Sequence, residues 1–405
     1  MTVARRRSGR TAVRSSRTSL PPERDTARRA YGATGPTTTE FRNPLAGPGV
    51  RVDTARMVRE PEFEGVEIDV LGDSPSDEEV AAVAALVQAV QDDDRPDDPP
   101  VSVAELAGVL RHPSPSSATV SVVARAGDSA VGWLVAFVDQ RPANAGFTEL
   151  DEVQVHPAWR RRGIATAMVR VAADELARVG SRLVMAWPHD EAGRRVAEGL
   201  GLTFRQHERE SRLRIADVDR RQLGSWVEAP TARSAGYRVV TFRGPVPDEL
   251  VEAWATAEQA MSDAPLDDIE YTYEPVTPEW VRAVEAVHQA RGYERFGAVA
   301  LAPDGTGAGM SLLNVHPDRP RVAHQEDTAV VPAHRGFGLG RWLKAANLLQ
   351  LLDAVPEVEL VQTYNAESNG PMLDINVAMG FRPSRGHLAH QGPLADVRRA
   401  LGLDG

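Results

Sequence analysis

Apolar positions in this chain alternate between two periods, every second residue and every third to fourth, and the sequence of switches runs through twice. Val66 to Leu71 predicts an opening strand, and Ser76 to Gln91 an amphipathic helix with Asp77, Glu78 and Glu79 in the first turn, where the helix dipole favours them. Asp92 to Pro100, rich in Asp and Pro, predicts a solvated loop. Ala118 to Ala126 and Val131 to Val138 predict adjacent strands around the Gly127-Asp128 turn, and Phe147 to Val155 a third strand. Ile164 to Val179 predicts a helix with Ala167, Val171, Leu176 and Val179 on one apolar side. Leu183 to Trp187, Ala192 to Leu200 and Thr203 to Ile215 then give a strand, a helix and a closing strand with alternating charges.

The plan restarts at Tyr237 after a linker over 228–235. Val246 to Gly292 holds helices interrupted by an acidic stretch, Asp263 to Glu270, which either attracts a cationic substrate or is a solvated loop. Phe296 to Ala302, Gly309 to Val315 and Ala323 to Val331 predict strands, Leu339 to Leu352 a helix, Val358 to Thr363 a strand, and Asn376 to Met379 the end of the last helix before Gly380. At equivalent points stand Arg160-Arg161-Arg162-Gly163-Ile164-Ala165 and Arg335-Gly336-Phe337-Gly338-Leu339-Gly340, each following an apolar strand and a proline. A long-period repeat of this kind means an internal duplication.

A strand entering a glycine turn that opens a helix presents backbone N–H groups and the positive end of the helix dipole, which suits phosphate. Neither turn carries the Gly-Lys-Ser/Thr of a Walker loop or the G-x-G-x-x-G spacing of a dinucleotide fingerprint. The valine-ended strand, the proline and Arg-x-x-Gly-x-Gly/Ala at a helix start resemble the acyl-CoA motif of the GCN5-related N-acetyltransferases, and the segment Asn365 to Leu373 with Met379-Gly380-Phe381 resembles that family's late helix. The two-copy arrangement is similar to that of mycothiol synthase-like proteins. The resemblance implies an α/β fold of the α+β type: two tandem domains, each a mixed, mostly antiparallel sheet flanked by helices. Expected bounds are a disordered Arg-rich leader over 1–59, domains over 60–227 and 236–395 joined by the linker 228–235, and a tail over 396–405.

The same resemblance implies acetyl-CoA as acyl donor, without a metal, and direct attack by a primary amine of a small molecule or peptide. Backbone atoms of Val153 and Val155, and of Thr328 and Val330, would pair with the pantetheine arm. Amides of Arg161, Arg162, Gly163, Ile164, Ala165 and Thr166, and of Gly336, Phe337, Gly338, Leu339, Gly340 and Arg341, would cradle the pyrophosphate, with Asn365 beside the slot. Direct transfer needs positioning, a path for the ammonium proton and a donor for the carbonyl oxygen. Glu152 in the first half and Glu326 or Asp327 in the second are the candidate bases, each otherwise a strand carboxylate on a solvated face; His324 is a candidate relay or a packing residue. Where many relatives have a tyrosine to protonate the thiolate, this chain has Ala197 and Asn376. The alternatives are therefore an N-acetyltransferase, favoured in the second half by its fuller glycine pattern, a non-catalytic acyl-CoA-binding or regulatory protein, or a chain with one active and one degenerate domain.

Composition narrows the setting. The chain has 405 residues, no cysteine and a net charge of −11, which excludes disulfides and thiolate chemistry. No apolar run reaches the length of a membrane span. Residues 1 to 30 carry nine arginines against two acids, but without interleaved aromatics or a reader motif this disfavours nucleic-acid binding, and without an apolar h-region it is no export signal. Lys344 is the only lysine, a bias that suggests a GC-rich bacterial source. The expected setting is the cytoplasm, as a monomer or homodimer. His189-Asp190 has metal-ligand residue types but no third ligand at helical spacing.

Overall fold

The computed structural model describes residues 65–228 and 232–404; the expected leader and residues 229–231 of the linker lie outside them. The first half runs β1 (Glu67–Leu71), α1 (Asp77–Asp94), α2 (Val103–Arg111), β2 (Ser117–Ala126), β3 (Ser129–Asp139), β4 (Phe147–Val155), α3 (Ile164–Arg178), β5 (Leu183–Ala186), α4 (Glu191–Gly199), β6 (Thr203–Arg214) and α5 (Arg220–Glu228). The second repeats the order as β7 (Arg238–Arg243), α6 (Val251–Glu258), α7 (Pro278–Ala290), β8 (Glu294–Leu301), β9 (Gly307–Val315), β10 (Val322–Val330), α8 (Leu339–Ala354), β11 (Leu360–Ala366), α9 (Gly370–Met379), β12 (Arg382–Pro393) and α10 (Leu394–Ala400).

Local chemistry sets the starts. Ser76 accepts from Glu79 N–H while the Glu79 carboxylate takes Ser76 N–H, a capping box that begins α1. α3 and α8 begin instead at Gly163 and Gly338, both left-handed at φ 88° and 81°, with no side-chain cap.

The twelve strands of the described residues form one sheet in the order β1-β2-β3-β4-β5-β12-β6-β11-β10-β9-β8-β7. The halves exchange their last strands: β6 lies against β11 of the second half, and β12 fills the place beside β5 of the first. The following helices go with them. Leu223 of α5 is buried in the second-half core with Leu348, Leu351 and Leu352 of α8, and Leu394, Val397 and Leu401 join the first-half core with Ala172, Ala173 and Leu176 of α3. The stretch expected as a tail thus begins inside a helix that is packed into the first half. Each buried Leu or Val contributes roughly 1.5–3 kcal/mol relative to exposure.

Candidate active site

β4 and β5 run parallel only from Phe147↔Leu183 to Leu150↔Ala186, and β10 and β11 only from Val322↔Leu360 to His324↔Gln362. Beyond those points the parallel strands part, leaving one edge of β4 and one edge of β10 without a strand partner. On the opposite side, His156 N–H donates to Val131 O and Val331 N–H to Ala308 O. Because backbone groups alternate sides along a strand, the N–H and C=O of Val153 and Val155, and of Thr328 and Val330, face the open edges.

The open edges lead to the two glycine turns. Gly336 and Gly338 are left-handed at φ 82° and 81°; in the first copy Gly163 matches Gly338, but the residue matching Gly336 is Arg161, held at φ 66°. Arg160 Nε donates to Val155 O at 3.2 Å and Arg335 Nε to Val330 O at 3.0 Å. Both arginines also pair with acids of the preceding helical region, Arg160 with Asp93 at 2.7 Å and Arg335 with Asp263 at 2.8 Å. These arginines therefore shape the turns, and Asp263 in the acidic stretch serves that purpose. Ile164 and Leu339 bury their side chains, so only their amides are available. Arg162 lies over the Trp159 ring and Arg341 over Trp226, while Ala165, Thr166 and Gly340 continue the two helix starts and Phe337 lies 5.4 Å from Tyr237, centre to centre. Uncapped helix N-termini behind left-handed glycines fit an anionic pyrophosphate.

The candidate bases stand on bulges. On β10 the register slips between Gln325↔Leu313 and Thr328↔Ser311, which brings Glu326 and Asp327 into one irregular segment; on β4 it slips between Glu152↔Val135 and Leu150↔Ala136, at Asp151. Bulges re-aim side chains beside sites. In the second half, a cavity of ≈130 Å³ is lined by Glu326, Asp327, Glu258, His288, Arg295 and a wall of Val281, Val284, Met310 and Leu312. Asp327 is exposed along the cavity wall, and desolvation by the surrounding protein, with the charges of Glu326 and Glu258, raises its carboxyl to about 7. Burial and the nearby guanidinium of Arg295 lower His288 to about 4, so its ring is neutral. Asn314 Nδ2 lies 3.2 Å from Glu326 Oε1 and 3.3 Å from His288 Nδ1. In the first half, burial and the Asp151 charge raise Glu152 to about 7, and burial likewise raises Glu149 and Glu208 to about 7.

Other expected positions resolve differently. Asn365 Oδ1 accepts from Asn376 Nδ2 at 2.7 Å, so an amide occupies the place of the tyrosine acid. His324 sits in the ladder between Asn314 and Gln362. Asp190 caps α4 through Gly193 N–H at 2.6 Å, a structural task, and among the described residues no group of three or more His, Asp or Glu is arranged to hold a metal. Among the described residues no helix is long and apolar enough to cross a membrane. Glu258, His288, Arg295 and Asn314 were not foreseen: they come from four elements of ordinary composition, and only the fold gathers them.

Residues 83–202 match the acetyltransferase (GNAT) family model. The chain is 30% identical over 268 residues to a mycothiol acetyltransferase of Thermomonospora curvata, covering 65% of this chain and 80% of the relative. The chain belongs to the GNAT acetyltransferase family. A mycothiol acetyltransferase of Salinispora tropica is 28% identical over 318 residues, covering 77% of this chain and 93% of the relative. Among solved structures, a tandem GNAT protein from the clavulanic acid biosynthesis pathway superposes with a TM-score of 0.68 at 26% identity, over 81% of this chain and 98% of that one. The present chain, as a member of that family, is an N-acetyltransferase that takes its acetyl group from acetyl-CoA.

Proposed function

We propose that the second half carries out acetyl transfer to a primary amine of a small molecule, by direct attack on the thioester. One observation carries this reading: the cavity of ≈130 Å³ opens on Glu326 and Asp327, on the strand edge that parts from β11. An amine held there is within the reach of two carboxylates. The pair accepts the ammonium proton as the C–N bond forms, and the C–S bond then breaks to give a thiolate that takes its proton from solvent, since Asn376 supplies no acid. The amides of Gly336 to Arg341 would hold the pyrophosphate, and those of Thr328 and Val330 the pantetheine arm. The first half, with Arg161 to Thr166, Val153 and Val155 in the same roles, is a second acetyl-CoA site, with Glu152 as its carboxylate. The names of the mycothiol acetyltransferase relatives support a small-molecule acceptor. The working units are 60–227 and 236–395, each completed by the strand and helix that the other lends, acting in the cytoplasm.

The test is thiol release from acetyl-CoA over a panel of amines, with calorimetric titration of acetyl-CoA into the intact chain and into Gly163→Trp and Gly338→Trp variants checked for folding. The reading expects each variant to lose one of two binding events, and Gly338→Trp and Glu326→Gln to abolish thiol release. Release that survives Gly338→Trp but not Gly163→Trp overturns the assignment to the second half.

A further inference from the structure

The cavity beside β10 is lined by more carboxylates than the transfer needs. Glu326 and Asp327 face it from the bulge, and Glu258, the last residue of α6, is a third. Trp254 Nε1 donates to Glu258 Oε2 at 2.6 Å and so fixes that carboxylate. Asn314 Nδ2 directs its two N–H groups at Glu326 Oε1 and His288 Nδ1; a ring nitrogen that accepts carries no proton, so His288 adds no charge.

Among the described residues on the wall, Arg295 is the one cation, so the lining holds three negative charges against one positive when its carboxyls are ionised. Charges behind the wall do not reverse that balance. Arg282 pairs with Glu285 and Asp248, both at 2.6 Å, Glu285 also faces Arg295 Nη1 at 3.0 Å, and Arg291, whose charge acts on His288, is set against Asp151. Burial raises the Glu258 carboxyl, and desolvation with the charges of Glu326 and Glu258 raises that of Asp327; a bound cation would relieve both. Among the described residues no group of acids is arranged to hold a metal, and Val281, Val284, Met310 and Leu312 give the cavity an apolar side. The cation that fits is therefore organic, with carbon between its charges. Hydrogen bonding points to a second feature of the ligand. Arg295 is only 6% exposed, it lines the cavity, and its Nε is buried without a hydrogen-bond partner. Its charge is already met by Glu285, so what it lacks is a neutral oxygen to accept that N–H, not another anion.

We propose that the acceptor of the second half is a small diamine with a hydroxyl between its amino groups: one amine faces Glu326 and Asp327 for transfer, Glu258 holds the second as an ammonium, and the hydroxyl oxygen accepts from Arg295. Glu258 is then a specificity-determining residue, since it selects acceptors by their second charge. This rests on the transfer assigned above to the second half and adds the class of acceptor.

The experiment uses the full chain without acyl donor. Calorimetry compares diamines from 1,3-diaminopropane to 1,6-diaminohexane with alkylamines of matched length, and the best diamine with its mid-chain alcohol, in wild type, Glu258→Gln and Arg295→Lys; acetyl-CoA titrated separately into each checks folding. The proposal expects one diamine to bind wild type about 10- to 100-fold more tightly than its matched amine, the gain expected of a charge-assisted bond. Glu258→Gln should abolish that preference and Arg295→Lys should keep it. The hydroxyl should add about 3- to 10-fold in wild type and nothing in Arg295→Lys. Equal binding of diamines and monoamines by wild type overturns the proposal, whether or not a variant folds. So does a preference that survives Glu258→Gln, or a hydroxyl without effect. Thiol release from acetyl-CoA over the same panel tests the transfer separately. Release with monoamines as fast as with diamines upholds the transfer and overturns the proposal, whereas a diamine preference in binding without release upholds the subsite and overturns the transfer.

Discussion

Replacing Glu210 by Gln removes the only fully buried carboxylate of the central ion cluster while keeping its shape. The wild-type side chain is the common acceptor for Arg95 and Arg212 and has His387 Nε2 at 3.6 Å. Burial would raise this carboxyl, but the nearby His387 imidazole and the hydrogen bonds of Arg95 and Arg212, with the charge of Arg95, outweigh it and hold it far below the ordinary glutamate value of 4.5. In Glu210→Gln the guanidinium groups of Arg95 and Arg212 are left with Asp98 as their carboxylate in this cluster, beside the like charge of Arg385. Breaking a buried ion pair by removing one partner costs about 3–5 kcal/mol. If roughly 340 residues melt together at about 2.1 cal/mol/K each, the melting temperature falls by about 4–7 °C. A group with a depressed folded pKa stabilises above its unfolded value and loses that contribution as pH falls, so the gap between wild type and variant should be full above pH 4.5 and narrow below it. Adding Arg385→Gln to Glu210→Gln should restore part of the loss, giving a coupling of about 1 kcal/mol or more in a double-mutant cycle. The assay is urea unfolding followed by far-ultraviolet circular dichroism at pH 7, 5 and 3. A cost below about 1 kcal/mol at pH 7, or a gap that stays constant into acid, refutes the account of this cluster as charge-balanced by Glu210.

Asp327→Asn should lower kcat/KM by about 10²–10⁴, and remove a rise in rate through pH 7 that the wild type shows as the carboxyl raised to about 7 by desolvation ionises; a wild-type profile flat across that pH counts against Asp327 as proton acceptor. Arg161→Gly should stabilise the chain by roughly 0.5–1 kcal/mol, because Arg161 holds φ 66° where the second copy has Gly336 at φ 82°, and Gly336→Ala should destabilise it by about 1 kcal/mol; chemical unfolding reads both, and opposite signs refute the strain argument. Lys344 is buried and its amine is lowered to about 7 by burial. The unfolded chain therefore binds more protons between about 7 and the ordinary value of 10.5, and stability attributable to this group rises with pH across that window. Lys344→Met should flatten that rise and be more stable at pH 7 by roughly 1–3 kcal/mol; an unchanged pH slope would refute it.

The order of elements was legible because local signals dominate it. Phe147 to Val155 is a strand over the whole span read from alternation, and the helices after both glycine turns start at Ile164 and Leu339 as expected. The short helices α2, α5 and α10 were not foreseen; they have seven to nine residues each, few turns over which a period can show. The bulges were invisible for a related reason. An extra residue breaks the two-residue period at Glu326-Asp327, so the sequence gives two adjacent acids where the structure gives a re-aimed pair. Candidate bases could be named from their strand, but not the cavity they face, since Glu258, His288 and Arg295 are brought there by packing.

Strand exchange lies beyond what alternation can specify, and it changes what the duplication means. The pattern in Thr203 to Arg214 says that the segment is a strand with a charged face; it does not say which neighbour it takes. That face, Glu208, Glu210 and Arg212, is too polar for an uncovered core, and it becomes tolerable only where β11 and β12 supply Tyr364, Arg385 and His387 in register and the end of α1 brings Arg95 and Asp98 over it. The charged alternation legible in β6 was thus a mark of the seam between the halves. Two copies that each kept their own last strand would each have had to cover such a face alone. By exchanging β6 and β12 the chain needs one ion cluster at the junction, and the strand beside β5 of the first half is supplied by the second. A change at Glu210 or Arg385 should therefore be felt in both halves, whereas a change in either glycine turn should be felt in its own.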